Sequence, residues 1–131
     1  MPNRPITPET IAPPAANYAH AVLVTDAHRW LHTSGVVPVR PDGSTPEDVA
    51  AQAEVVWRNL LAILAAAEMD VDSVVSITTY VVASVAGADL GVVMGARDAA
   101  LGGRRVASTL VTVPALAQAA WLVEIALVAA K

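Results

Sequence analysis

The chain has 131 residues, of which 55% are hydrophobic and 15% charged, with no Phe, no Cys and a formal net charge of −4. That length suits one buried core, so residues 1–131 are expected to form a single domain. The lack of cysteine excludes disulfides, thiolate catalysis and sulfur-based zinc sites, and the acidic balance argues against a nucleic-acid partner.

In chain order, the Pro- and Thr-rich opening to Ala16 reads as an extended segment in which any strand is short. Ala19 to Thr25 and Arg29 to Gly35 read as two strands flanking the turn Asp26-Ala-His28, which predicts a hairpin. Pro38 should end that ladder, because it lacks the N–H a central strand needs. Thr45-Pro46-Glu47-Asp48 is a helix start, with Thr45 as the cap and Pro46 in the first turn. Val49, Ala53, Val56, Leu60, Leu64 and Ala67 then recur at helical spacing, which predicts one amphipathic helix to about Met69.

Ser73 to Val82 is β-branched and reads as a strand. A second helix is expected over Ala88 to Ala100, stopped by Gly102-Gly103. Ala107 to Val113 and Trp121 to Ala129 supply the last two strands. The order β-β-α-β-α-β-β predicts an α/β (α+β) fold, with both helices packed on one face of a mixed sheet.

Glu124 stands out as an acid in the apolar run Trp121-Leu-Val-Glu-Ile-Ala-Leu-Val128. A carboxylate buried there would have to find donors or be neutralised, so Glu124 is the first candidate for chemistry. The alternative is a strand residue facing solvent or an oligomer rim. His20, His28 and His32 are not set at a metal-ligand spacing, and no metal or cofactor is implied. The apolar excess leaves little polar surface for a monomer and favours an oligomer. The apolar runs are interrupted by Glu54, Arg58, Glu68, Asp89, Arg97 and Glu124, so none is expected to span a membrane. The N-terminus lacks a signal-peptide core, so a cytoplasmic protein is the expectation.

A set of local patterns resembles one family. They are Pro14-Ala-Ala-Asn-Tyr18-Ala-His-Ala-Val22, Leu31-His-Thr-Ser34-Gly35-Val-Val-Pro38, Ala50-Ala-Gln-Ala-Glu54-Val-Val-Trp-Arg-Asn59-Leu60, and Ala107-Ser108-Thr109-Leu-Val followed by Leu122-Val-Glu124-Ile125. Together they are similar to the Rid (YjgF/endoribonuclease L-PSP) family. The resemblance implies a chorismate-mutase-like fold and a homotrimer with a small-molecule ligand cleft at each subunit interface. In deaminase members the substrate is an imine or enamine derived from an amino acid. A terminal-strand glutamate orders water, an arginine clamps the substrate carboxylate, and backbone at the Ser-Gly motif assists. Carried over, Glu124 matches the catalytic glutamate. Ser34 and Gly35 match the backbone contact, and Tyr18 the aromatic of the cleft.

One departure matters. Aligning Leu110 to Leu116 on the family's penultimate strand places Ser108 where the clamping arginine belongs. Arg105 lies three residues earlier, ~10 Å along an extended chain, and would take the role only through a bulge. Arg97 is the other possible anion anchor, unless it pairs with Asp98. His20 stands where the family has a small or amide side chain and has the pKa range for acid–base work near neutrality, or is a hydrogen-bonded bystander. The resemblance thus implies binding or hydrolysis of a small reactive imine- or enamine-type metabolite, outside the standard 2-iminobutanoate reaction. The alternative is a non-catalytic binding or interaction protein on the same scaffold. The family's older ribonuclease label conflicts with the acidic charge balance and the lack of a histidine pair.

Overall fold

Residues 3–85 and 87–131 are described by the computed structural model. Strands β1 (Asn3–Ile6), β2 (Ala21–Val24) and β3 (Trp30–His32) come first, followed by helix α1 (Val49–Ala66). Strand β4 (Val74–Val82), helix α2 (Ala88–Ala100), β5 (Ala107–Val113) and β6 (Val123–Ala130) complete the order. A four-stranded sheet runs β3-β6-β4-β5, while β1 and β2 form a separate two-stranded one. β5 is parallel to β4, with α2 as the crossover between them, and β6 is antiparallel to both β3 and β4. The last strand of the chain is therefore an inner strand of the sheet, flanked on both sides.

The α+β expectation is met, and α2 and β5 have the predicted limits. The hairpin expectation is not. β2 pairs with β1, and β3 pairs with β6. Asp26 does turn the chain, in a left-handed conformation with φ 55°. The next N–H groups, of His28 and Arg29, then donate to the Lys131 carbonyl at 2.9 Å each. The turn signal in the sequence is real, but the C-terminal strand takes the hydrogen-bonding edge that a hairpin would have used.

The start of α1 also differs. Asp48, not Thr45, caps it, with its Oδ1 accepting the Ala51 N–H at 2.7 Å. The Pro46 carbonyl is engaged elsewhere, by the Gln52 side chain at 2.9 Å, which holds the preceding turn outside the helix. At the other end Glu68 turns left-handed at φ 56°, and the Met69 N–H closes on the Leu64 carbonyl at 2.9 Å. This 6→1 closure ends the helix before Met69.

By length and mean hydropathy (1.3) α1 falls in the range of a membrane-spanning helix. Its stripe of Val49, Ala53, Val56, Leu60 and Leu64 is nevertheless packed in the protein core. That core lies between the helices and one face of the four-stranded sheet. Ile77 and Val81 of β4 and Val123, Ile125, Leu127 and Ala129 of β6 fill it. Their period of two leaves Ser76, Thr78, Tyr80, Glu124, Ala126 and Val128 on the opposite face, where no helix among the described residues covers them.

Candidate functional site

Glu124 lies on this uncovered face, near the start of β6. A buried side chain fixes where β6 begins. Gln52 of α1, 1% exposed, donates through Nε2 to the Ala120 carbonyl at 2.8 Å and accepts the Leu122 N–H through Oε1 at 2.8 Å. Together with its bond to Pro46, this satisfies the amide fully and ties the approach to β6 onto α1. In the sequence Gln52 is visible only as an amide interrupting the apolar stripe of α1.

The segment after β3 comes up against Glu124 through a slipped register. His32 pairs with Val128, whereas Val36 bridges Ile125, so one extra residue is accommodated between them. Thr33 makes the slip possible. Its N–H donates to the Leu127 carbonyl at 3.0 Å, while its Oγ1 accepts the Leu127 N–H at 3.0 Å in place of a backbone carbonyl. Val36 then resumes the ladder by exchanging bonds of 2.8 and 3.1 Å with Ile125. Among the described residues, neither the Ser34 nor the Gly35 N–H enters this ladder. Asn59 of α1 holds the chain beyond, donating to the carbonyls of Val39 at 3.0 Å and Val37 at 3.4 Å.

Gly35 sits directly on the Glu124 carboxyl group. A Cβ at this position would lie 2.6 Å from Glu124 Cδ and closer still to Oε2. Only glycine leaves room for the carboxylate there. Among the described residues Glu124 forms no ion pair, and no hydrogen bond occupies its oxygens. A half-buried carboxylate on an inner strand is thus left open to solvent, beside a backbone whose N–H groups are also uncommitted.

The other candidates gather elsewhere. The Ala19 N–H donates to the Val106 carbonyl at 2.9 Å, which lays Tyr18 alongside the start of β5. Arg105 Nε donates to Asn17 Oδ1 at 3.2 Å, and Tyr18 meets His20 edge-on with ring centroids 6.1 Å apart. His20 Nε2 is 2.7 Å from the Ala12 carbonyl oxygen, so it pins the N-terminal segment over this corner. Arg104 is paired with Asp72 at 3.3 Å. Within one chain this cluster is remote from Glu124. Ala107 is in register with Ser76, while Glu124 is in register with Tyr80, four rows along the same strand. At the strand rise that is ~13 Å, and ~20 Å measured back to Arg105.

Ser108 lies on the other side of the sheet. It is in register with Ile77, which is 2% exposed beneath the helices. Its Oγ is 3.5 Å from Arg97 Nη1, long for a hydrogen bond. Its hydroxyl therefore points away from the face that carries Glu124. The parallel register decides this, and nothing in the local sequence marks it. Arg97 is 5% exposed and pairs with Asp98 through Nη2 at 3.0 Å and Nε at 3.1 Å, again under the helix layer. Among the described residues no three His, Asp or Glu side chains converge as a metal-ligand set.

The profile of the endoribonuclease L-PSP family matches residues 9–131. No curated protein matches the chain. Among solved structures, it is similar to a Yersinia pestis protein of unknown function from the conserved Rid protein family YyfB. The identity is 32% over 100% of both chains, with a TM-score of 0.90. RidA from an Antarctic Psychrobacter is 26% identical over 98% of this chain and 99% of its own, with a TM-score of 0.71. Escherichia coli TdcF, solved with bound serine, shares the fold at 22% identity, with 98% of each chain covered and a TM-score of 0.70.

Proposed function

This chain belongs to the endoribonuclease L-PSP (Rid) family, and on that footing we propose that it is a homotrimer hydrolysing a small, reactive imine- or enamine-type metabolite in clefts between subunits. The observation that carries this reading is the Glu124 carboxylate, unpaired on an inner strand and apposed to Gly35. A structural acid in that position would have a partner, whereas an acid that holds water needs its lone pairs free. An imine carbon is already electrophilic, so hydrolysis asks little more than an oriented water and a group to move its proton. Glu124 would take a proton from water as the oxygen adds to the C=N carbon. It would hand that proton to nitrogen to give the neutral carbinolamine, and would then pass the carbinolamine's hydroxyl proton to nitrogen as the C–N bond breaks, leaving a carbonyl compound and ammonia. The free N–H groups at Ser34-Gly35 are donors for the polar atoms of the ligand.

The separation of Glu124 from the Tyr18–Arg105 cluster supports assembly across chains. Each protomer would contribute the carboxylate to one cleft and the aromatic–arginine corner to the next. Threefold closure would also cover the apolar parts of the helix-free face, including Ala126, Val128 and Val111.

On the alignment that puts Ser108 at the position of the deaminase clamp, 2-iminobutanoate-type substrates should turn over weakly, since Ser108 offers no charge and faces the helix layer. A lost charge-assisted contact is worth about 1.5–3 kcal/mol, roughly ten- to a hundred-fold in rate. Activity at the level of an arginine-bearing relative, abolished in Arg105→Ala, would mean that a neighbour's Arg105 does the clamping.

The decisive experiment compares wild type with Glu124→Gln on a panel of imines, with sedimentation as the assembly control. We expect a trimer in both proteins, similar melting temperatures, and loss of turnover in the variant. A monomer at micromolar concentration, or unchanged turnover in Glu124→Gln, would overturn the reading. Among the described residues no cation of the same chain stands beside Glu124, which favours one rival, a trimer that binds small molecules without turning them over. Binding that depends on Glu124, with no turnover of any imine by wild type, would establish that rival.

A further inference from the structure

We propose that the groove between α1 and α2, on the side of the sheet away from Glu124, binds a free apolar α-amino acid, with Glu54 and Arg58 holding its ammonium and carboxylate groups. The inference goes beyond the reading above and needs neither the trimer nor the reaction.

Beside the core stripe of α1 runs a second face, on which Glu54, Trp57, Arg58 and Leu61 follow one another at helical spacing. Between this face and Val92, Ala96 and Ala99 of α2 lies an open groove of about 610 Å³. That volume suits a small molecule. The space exists because the α2 wall is built from alanines where longer side chains would fill it. Its aliphatic lips are Leu61 and Val92, 39% and 41% exposed. Trp57 forms the floor and is 3% exposed. Its indole Nε1 is buried with no acceptor among the described residues. An unpaired buried donor costs free energy, which favours any tilt of the ring that brings the N–H to a ligand oxygen.

The charged groups of the groove select its ligand. Glu54 and Arg58 stand one turn apart, in the order that best suits an i, i+4 ion pair. Neither is paired with the other or with any other described residue. Both are exposed and both line the groove. An exposed pair of this kind gains little from closing on itself, so a ligand that engages both charges displaces little. Their Cβ atoms are ~6 Å apart, a span that the ammonium and carboxylate of an α-amino acid, joined through one carbon, can bridge. The guanidinium then takes the carboxylate and the Glu54 carboxylate takes the ammonium. Opposite them, Val92, Ala96 and Ala99 offer only apolar contact, which suits an aliphatic or aromatic side chain and leaves a charged one without a partner. A simple amine or a simple acid would satisfy one of the two charges and not the other. The assembly proposed above closes over the helix-free face and leaves this groove outward.

The test titrates the full chain, followed by amide NMR, with L-leucine, 3-methylbutylamine, 4-methylpentanoate and glycine. The last three lack in turn the carboxylate, the ammonium and the side chain. L-Leucine should shift amides of α1 from Ala50 to Leu61 and of α2 from Val92 to Ala100, and bind about tenfold more tightly than any of the others. Arg58→Ala should weaken L-leucine about tenfold, to the level of 3-methylbutylamine on wild type. Glu54→Ala should bring it to the level of 4-methylpentanoate. Ala99→Leu, at an exposed helix position that tolerates either residue, fills the groove and should abolish binding with an unchanged melting temperature. No binding of L-leucine by wild type, equal binding of the amine or the acid, or unaltered affinity in Arg58→Ala overturns the proposal. Shifts centred on Glu124 and Gly35 overturn it as well, since they put the amino acid in the cleft of the helix-free face. Imine turnover is read separately, so failure here leaves the proposed function standing, and failure of that function leaves this groove.

Discussion

The two faces of the four-stranded sheet are built from the same strands and do opposite work. Toward the helices, β6 presents Val123, Ile125, Leu127 and Ala129, each 2% exposed or less. One residue out of phase, it presents Glu124, Ala126 and Val128 to a surface without helices. Burial on the first face holds the fold together through area removed from water. On the second face a free carboxylate is supported by that rigidity without being part of it. Adjacent residues in the sequence should therefore answer to different measurements.

The largest effect expected is on the covered face. Ile125→Ala should cost about 2–5 kcal/mol of stability, since Ile125 is fully buried in the core on which α1 packs and its neighbours can relax only in part. Glu124→Gln, one residue away, should move the denaturation midpoint by no more than about 0.5 kcal/mol. Equal losses in the two variants would abolish the distinction between the faces.

Gly35→Ala comes next and reads the uncovered face. Its new Cβ would collide with the Glu124 carboxyl group and force that side chain off its position. Under the proposed function turnover should fall about a hundred-fold, the scale of a 1 Å misplacement, while the melting temperature changes far less. Full activity in this variant would show that the apposition of Gly35 and Glu124 does not matter.

Gln52→Ala should destabilise by about 1–3 kcal/mol, because it strands the Leu122 N–H and the Pro46 and Ala120 carbonyls. It also frees the lead-in to β6, so hydrogen exchange at Leu122 should accelerate beyond the global change. A uniform change along β6 would mean that Gln52 acts on the whole fold and not on the approach to Glu124.

The smallest effect lies outside both faces and serves as a control. Glu68 holds a left-handed conformation at φ 56°, and its exposed ion pair with Arg29, at 3.8 Å, contributes little. Glu68→Gly should raise stability by about 0.5–1 kcal/mol in chemical denaturation and leave activity unchanged.

Much of this was legible in the sequence wherever the determinant is local. The period of α1, the paired glycines behind α2 and the β-branched run of β4 are matters of propensity and capping within a few residues. Glu124 was legible as an anomaly for the same reason, since an acid in an apolar strand conflicts with its immediate neighbours. Thr45 was an acceptable local cap, and lost the role to Asp48 because a buried amide from the first turn of the helix takes the Pro46 carbonyl.

What the sequence determined by itself, then, was which segments are helix or strand, that β6 alternates two kinds of side chain, and that Glu124 is the residue out of place. Only the tertiary structure decided that β3 abandons β2 for the C-terminal strand, that Gly35 meets Glu124, and that Ser108 and Arg97 lie under the helices. The physical reason is that a strand's period of two fixes which residues share a face but not which face is covered. That choice depends on hydrogen bonds and packing with partners distant in sequence, such as Lys131 for Arg29 and Ile77 for Ser108.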